Sequence, residues 1–291
     1  MSASSSILNI DDVSVRFGGI KALTGVSFAV REGSVTAIIG PNGAGKTTMF
    51  NCITGFYRVT SGAMTLVKDQ QFFNLVEILG EPFHPRDLLR PLAALRKIFF
   101  KVFGGSHEIA GLGIARTFQN IRLFEEMSVM ENLLVARHRH LNRNLLAGLI
   151  RTKGYLESEQ QALATARQWL KIVGLEAHGD RLAGELPYGH QRRLEIARAM
   201  CTGASLICLD EPAAGLNHKE TAELSRLISG LRSDHGVTVL VIEHDMSLVM
   251  DVSDEIIVLD HGEVIATGTP DEIKKNKRVL EAYLGEGGDD E

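Results

Sequence analysis

The sequence predicts an α/β fold: a mainly parallel sheet, a small antiparallel sheet beside it, and an inserted α-helical region. Three observations predict it. Four short apolar runs, Val35–Ile39 and residues 206–209, 237–242 and 256–259, are continuous rather than alternating, which suits strands buried on both faces. Helical patterns over 191–200 and 219–231 lie between the later runs, and strands alternating with helices build parallel sheets. Between residues 120 and 185 no strand pattern occurs, while Ala162, Ala166, Trp169, Leu170 and Val173 recur at helical spacing. Trp169 reads as core packing in that helix.

The opening segment supplies the antiparallel part. Leu8, Ile10, Val13, Val15 and Phe17 alternate with polar residues, giving a half-buried strand with a bulge or slip near Asp11 and Asp12. Residues 26–30 form the second strand. After residue 67 the pattern becomes irregular, and Pro82, Pro85 and Pro91 punctuate it. Pro91 suits the first turn of a short helix with Leu92, Leu95, Phe99 and Val102 on one face. Residues 86–101 carry Arg86, Arg90, Arg96, Lys97 and Lys101 against the single acid Asp87. Two readings stay open there: a solvated basic face packed on its own domain, or a basic amphipathic surface laid on a membrane. The Gly-rich acidic end, 286–291, reads as disordered.

Composition bounds the function. The chain has 291 residues, a formal charge of −5, 44% hydrophobic and 23% charged residues, which are globular values. They exclude a disordered or fibrous chain. No apolar run approaches the roughly 18 residues of a membrane-spanning helix, and residues 1–6 lack the basic start and apolar block of a secretory signal. A mildly acidic chain argues against nucleic acid as a main partner. Cys52, Cys201 and Cys208 form no C-x-x-C pair and sit among apolar neighbours, so they are expected to be reduced, buried thiols of a cytoplasmic protein.

The strongest chemical signal is Gly40-Pro41-Asn42-Gly43-Ala44-Gly45-Lys46-Thr47, which fits G-x-x-x-x-G-K-[ST], follows an apolar strand and precedes a helical pattern with Met49, Phe50 and Ile53. Glycines let successive backbone N–H groups curl around an anion, and the new helix points its positive end at it. Lys46 can reach the β- and γ-phosphates of a nucleotide, and the Thr47 hydroxyl can ligate Mg²⁺. A second element is the apolar run 206–209 ending in Asp210 and Glu211. At a strand's C-terminal end Asp210 suits Mg²⁺ binding, and Glu211 can polarise a water for attack on the γ-phosphate. Glu243-His244-Asp245 follows a third buried run, and Gln119 follows residues 114–118; both fall at the ligand-binding edge of such a sheet.

These elements, in this order, resemble the ATP-binding subunits of ABC transporters. The family carries a Leu-Ser-Gly-Gly-Gln signature opening the helix before the Asp-Glu strand. Here that place reads Leu186-Pro187-Tyr188-Gly189-His190-Gln191. A glycine and a glutamine remain, with Pro187 for the serine and Tyr188 for the first glycine. The resemblance narrows to the first of two ATPases in the branched-chain amino-acid importer. The segment 51–57, Asn-Cys-Ile-Thr-Gly-Phe-Tyr, and the Tyr-Gly signature variant are its most particular features. The likeness covers about 7–67 and 109–285 and fails across 68–108, which is longer than the family needs.

The resemblance implies site roles. Phe17 matches the aromatic that stacks on adenine, though ordinary sheet packing fits it as well. It joins Gly40, Asn42, Gly43, Ala44, Gly45, Lys46, Thr47 and Thr48 in a nucleotide-binding set. Thr47, Gln119 and Asp210 would hold Mg²⁺, and Glu211, His244 and Gln119 would be catalytic. Tyr188, Gly189, His190 and Gln191 would act on a partner's ATP. Pro187 offers neither hydroxyl nor N–H, and a tyrosine cannot follow glycine into left-handed backbone without strain. Asn217 stands where the dimer-facing loop usually has Asp.

It also implies one ATP-binding domain, 7–285. Residues 7–119 and 186–270 would form its nucleotide-binding core, 68–108 an unusual insert, 120–185 a helical subdomain and 271–285 a C-terminal helix. ATP and Mg²⁺ are the expected cofactors. The expected partners are two membrane-spanning permease subunits, a second ABC ATPase packed head to tail and, indirectly, a periplasmic binding protein, on the cytoplasmic face of the inner membrane. The alternatives are an ATPase that extracts lipid or lipopolysaccharide, a soluble non-transport ABC ATPase, and a binding module without turnover. A single phosphate loop without sustained heptads argues against the soluble kind, and Glu211 with His244 argues against the inert module.

Overall fold

A computed structural model describes residues 6–80, 105–140 and 152–284 of the chain. The basic stretch 86–101, with the helix expected after Pro91, and the tail 286–291 lie outside the described residues. The chain opens with β1 (Ser6–Phe17) and β2 (Ile20–Arg31), an antiparallel hairpin. The expected bulge is present: the register shifts between Ile10 and Val13, and Asp12 takes φ 48°. β3 (Val35–Ile39) is buried at every residue and leads through a loop into α1 (Lys46–Ile53), whose Met49, Phe50, Cys52 and Ile53 are buried. β4 (Ser61–Lys68) then pairs with β1, and β5 (Gln71–Asn74) with β4, closing a four-stranded antiparallel sheet in the order β2-β1-β4-β5. β4 and β5 were not expected from the sequence. In β4 only Met64 and Leu66 are buried, a single alternation about Thr65, and β5 is an edge strand with Phe72 exposed, so neither run is long enough to stand out as a strand pattern.

After α2 (Leu75–Ile78), α3 (Ser106–Leu112) leads to β6 (Ile114–Arg116). A helical layer follows: α4 (Val129–Ala136), α5 (Lys153–Ile172) and α6 (Tyr188–Cys201). Then come β7 (Leu206–Asp210), α7 (His218–Ser233), β8 (Thr238–Ile242), α8 (Met246–Val252), β9 (Glu255–Asp260) and β10 (Glu263–Gly268). The second sheet runs β10-β9-β3-β8-β7-β6 and is parallel except for β10, which pairs antiparallel with β9. The described residues end in α9 (Pro270–Lys274) and α10 (Lys277–Leu284), where one helix was expected over 271–285. The break is chemical: the Asn276 side-chain oxygen accepts from the N–H groups of Arg278 and Val279 at 3.0 and 3.4 Å, the geometry of a helix cap.

Alternate residues of the parallel strands face opposite layers. Ile38, Cys208, Leu240, Ile242, Ile257 and Leu259 pack with Met49 and Phe50 of α1 and with the antiparallel sheet. Ala37, Ile39, Leu209, Val241, Ile256 and Val258 pack with Leu224 and Ile228 of α7 and Leu248 of α8. A third cluster joins Val129 and Leu133 of α4, Ala166 and Leu170 of α5, and Leu194 and Ala197 of α6. Trp169 lies between the second and third clusters, as core packing requires. Each fully buried Leu, Ile or Val contributes about 1.5–3 kcal/mol, so both faces of the sheet are held by many such residues.

Cys52, Cys201 and Cys208 are free and buried, and burial pushes each thiol up to about 12. Among the described residues no helix is long and apolar enough to cross a membrane. Register fixes where chemistry can gather. Ile38 lies opposite Ile242, and Ile242 opposite Asp210, so β3, β8 and β7 end level with one another. The residues just past those ends share one edge of the sheet.

Candidate functional site

The loop between β3 and α1 depends on two glycines. Gly40 has φ 149°, and a Cβ there would sit 2.0 Å from the Leu259 carbonyl oxygen. Gly45 caps α1 at φ 98°, where a Cβ would sit 2.7 Å from Leu23 Cδ2. Backbone conformation and space both demand glycine at these places. No side chain caps the first turn of α1, so the helix opens on the loop with its positive end. Lys46 Nζ donates to the Gly40 and Pro41 carbonyls at 2.6 and 2.8 Å, laying the ammonium over the loop. Asn42, Gly43 and Thr47 are exposed, Thr48 is half-buried, and Ala44 is buried. A glycine cradle, an uncapped helix start and an ammonium on the same loop fit a phosphate chain.

Asp210 ends β7 and is buried. Its Oδ2 accepts from Arg116 Nη2 at 2.5 Å, and Arg116 Nη1 donates to Asn51 Oδ1 at 2.6 Å and Thr54 Oγ1 at 3.0 Å. The guanidinium also lies over the rings of Phe118, Phe56 and Phe50. The carboxylate is thus held by Arg116 of β6, which Asn51 of α1 and Thr54 just past it hold in turn.

Glu211 is the next residue, with φ 45°, a conformation rare outside glycine that costs about 1–3 kcal/mol. Its N–H donates to the Ile242 carbonyl at 2.9 Å, which ties the turn to β8. Its Oε2 accepts from Gln119 Nε2 at 2.7 Å, and His244 Nδ1 lies 3.8 Å away. Gln119, Glu211 and His244 follow β6, β7 and β8, so three strand ends bring them together. His244 is 67% exposed at its side chain.

Glu243 holds the same edge from below. It is 1% exposed and accepts N–H groups from Ala213, His244 and Asp245 at 2.6, 3.0 and 3.2 Å. Burial raises its pKa although these donors oppose the shift. Asn217 caps α7: its Oδ1 accepts from the Lys219 and Glu220 N–H groups at 3.0 Å each, while Glu220 accepts from the Asn217 N–H. An Asn serves this capping box as an Asp would.

The signature segment departs from expectation in two ways. Tyr188 is the first residue of α6, after Pro187 as N-cap, and is not among the residues with positive φ. The expected strain is absent because a helix start asks for ordinary right-handed backbone. Counted from Leu186, moreover, the fifth place of the pattern is His190, and Gln191 stands one beyond. Gln191 Nε2 turns back to the Leu186 carbonyl at 2.9 Å, serving the turn before its own helix. His190 packs its ring 5.5 Å from that of His178, and burial, with Arg193 and His178 nearby, lowers its pKa. Gly189 packs against Glu220: a Cβ there would sit 2.7 Å from Glu220 Oε1, so the Glu220 side chain would have to move. Tyr188 is exposed. Phe17 is exposed on the β1–β2 hairpin, edge-on to Tyr57 at 5.1 Å between centroids.

Four charged residues of this site escaped the sequence reading as functional: Arg116, Arg192, Glu195 and Glu243. Each is buried or nearly so and bonded to a site segment. For Arg116 and Glu243 the available signal was a charged residue within, or just past, an otherwise apolar run; Arg192 and Glu195, in a charge-rich helical stretch, carried none.

The family model described as ABC transporter matches residues 23–214, and that described as branched-chain amino acid ATP-binding cassette transporter matches 263–289. The high-affinity branched-chain amino acid transport ATP-binding protein BraF of Pseudomonas aeruginosa is 50% identical, over 96% of this chain and 98% of that protein. LivG of Escherichia coli, of the same description, is 44% identical, over 97% and 99%. The crystal structure of the ADP conformation of MJ1267, an ATP-binding cassette of an ABC transporter, superposes with a TM-score of 0.72 at 32% identity, over 97% and 99%. With so little of the chain unmatched, the matched span includes 68–108.

Proposed function

Because the chain belongs to the ABC transporter ATP-binding family, and is therefore an ATPase, we propose that its hydrolysis of ATP drives uptake of branched-chain amino acids through a membrane importer. The convergence of Gln119, Glu211 and His244 on the edge that carries the phosphate loop is the observation that supports hydrolysis, and the likeness to branched-chain relatives supports the substrate class. In it, ATP lies on residues 40–48 with its base toward Phe17, and Lys46 exchanges the loop carbonyls for phosphate oxygens. Glu211 accepts a proton from the attacking water, oriented by Gln119, and the exposed His244 contacts the γ-phosphate. The Thr47 hydroxyl and the Asp210 carboxylate are hard oxygen donors, and Mg²⁺ characteristically takes one or two carboxylates with phosphate oxygens and water. When bound there, the ion neutralises phosphate charge; Gln119 completes its set in this reading.

The chain works in this reading as a peripheral subunit on the cytoplasmic face, with two permease subunits, a second ABC ATPase and a periplasmic binding protein. ATP bridges one subunit's phosphate loop and the other's signature helix, and hydrolysis weakens the bridge. Differential binding of ATP and ADP to closed and open dimers does the work. The test is uptake in cells that lack their own branched-chain importer but hold this chain with its permeases, its partner ATPase and its binding protein. Wild type should restore leucine, isoleucine and valine uptake, and Lys46→Ala should not. Restoration of polar amino-acid uptake alone would overturn the substrate class.

The signature predicts unequal sites. Pro187 lacks the hydroxyl and N–H that a serine offers the partner's γ-phosphate, while this chain's own phosphate loop, Asp210, Glu211 and His244 are complete. Disabling Glu211 should therefore cost more transport than disabling the matching glutamate in the partner ATPase. Equal losses in reconstituted vesicles would sink the asymmetry.

A further inference from the structure

We propose that Arg192 is a positioning residue for hydrolysis, holding the loop that carries Gln119 from the second turn of the signature helix. The proposal rests on the roles read above for Gln119 and Glu211. Arg192 is 0% exposed. Its Nη1 donates to the Phe118 carbonyl at 2.7 Å and to Glu195 Oε2 at 2.9 Å. Its Nη2 donates to the Gln119 carbonyl at 2.6 Å and to the Tyr188 hydroxyl at 3.3 Å. All four terminal N–H positions of the fork are used this way. Glu195, three residues on and buried beside it, accepts the N–H groups of Phe118 and Arg122 at 3.4 and 3.3 Å. One buried ion pair thus grips residues 118–122 by carbonyls and N–H groups alike. That segment lies in no strand or helix, so its backbone groups depend on such outside partners.

The consequence is directional. Tyr188 stands in the first turn of α6 and lies against the loop after β7: a Cβ on Gly215 would come 3.2 Å from Tyr188 Cε1. Arg192 joins that turn to the backbone of Gln119, whose side chain donates to Glu211. A shift of the helix start moves Gln119 relative to Glu211. In the dimer proposed above, the helix start meets the partner's ATP. Arg192 therefore passes the occupancy of one site to the hydrolytic residues of the other. A buried charge pair is a poor device for stability alone, because its desolvation often cancels its attraction. A four-way fork with fixed geometry is a good device for register.

The test is a double-mutant cycle on the assembled transporter. Arg192→Lys keeps a charge opposite Glu195, but one ammonium cannot span both loop carbonyls. Its kcat for ATP should fall about 3- to 30-fold with KM within about twofold of wild type, the mark of lost positioning rather than lost binding. In a Gln119→Ala background the same substitution should cost less than about twofold, because the side chain it positions is gone. A purely structural role would give equal factors in both backgrounds, and that result would overturn the proposal alone. No loss from Gln119→Ala by itself would overturn the reading of Gln119 and the proposal with it. Should Arg192→Lys fail to fold, Tyr188→Phe, at an exposed residue, removes only the hydroxyl. Amide exchange at Phe118 and Arg122 should then speed by about threefold while β3 and β7 keep their protection, and unchanged exchange would overturn the proposal.

Discussion

Glu211→Gln is expected to keep ATP bound while phosphate release falls by roughly two to four orders of magnitude, the usual worth of a general base. An amide has nearly the size of the carboxylate, and its oxygen can still accept from Gln119 Nε2, now at 2.7 Å from Glu211. The left-handed backbone of residue 211 and its N–H bond to Ile242 do not involve the side chain, so the turn should persist. Only basicity is removed. Affinity for ATP and release of phosphate, measured separately in the assembled transporter, decide the matter. Turnover like wild type would show that another group takes the proton.

Lys46→Ala should act on the earlier step. Its ammonium rests on the carbonyls of Gly40 and Pro41 and is the cation carried by the phosphate loop itself. A hydrogen bond to a charged group contributes about 1.5–3 kcal/mol, so loss of one or two phosphate contacts should weaken ATP binding roughly 10- to 100-fold or more. The loop backbone is set by Gly40 and Gly45 rather than by Lys46, and the fold should survive. Equilibrium binding of a fluorescent ATP analogue and the urea midpoint, taken together, check both halves. Unchanged affinity would remove Lys46 from the phosphate site.

Strands buried on both faces were legible because they leave continuous apolar runs: β3 has the bounds expected, and β7, β8 and β9 differ by a residue at one end or both. β4, β5 and β10 were not, because half-buried or edge strands such as Glu263–Gly268 carry too few buried positions to show a period. The residues at strand ends, Asp210, Glu211, Gln119 and His244, were legible because parallel register brings strand ends together. Arg192 and Glu195 were not. In the run Arg-Arg-Leu-Glu-Ile-Ala-Arg, charges read as a solvated helix face, and only tertiary packing shows that the pair three residues apart points inward. The strain expected at Tyr188 failed for a similar reason, since a residue's backbone region depends on the element it opens.

The three sequestered sulfurs bear on how the subunit's motion can be followed. With thiols near 12, the reactive thiolate at neutral pH is on the order of one molecule in 10⁵. An exposed cysteine, with its ordinary pKa near 8.5, carries about a thousandfold more or better. A maleimide dye will therefore choose a cysteine introduced on the surface, for instance in place of the exposed Phe72, and leave Cys52, Cys201 and Cys208 alone. Labels at chosen surface positions of this chain can thus be placed in a protein that keeps every native sulfur.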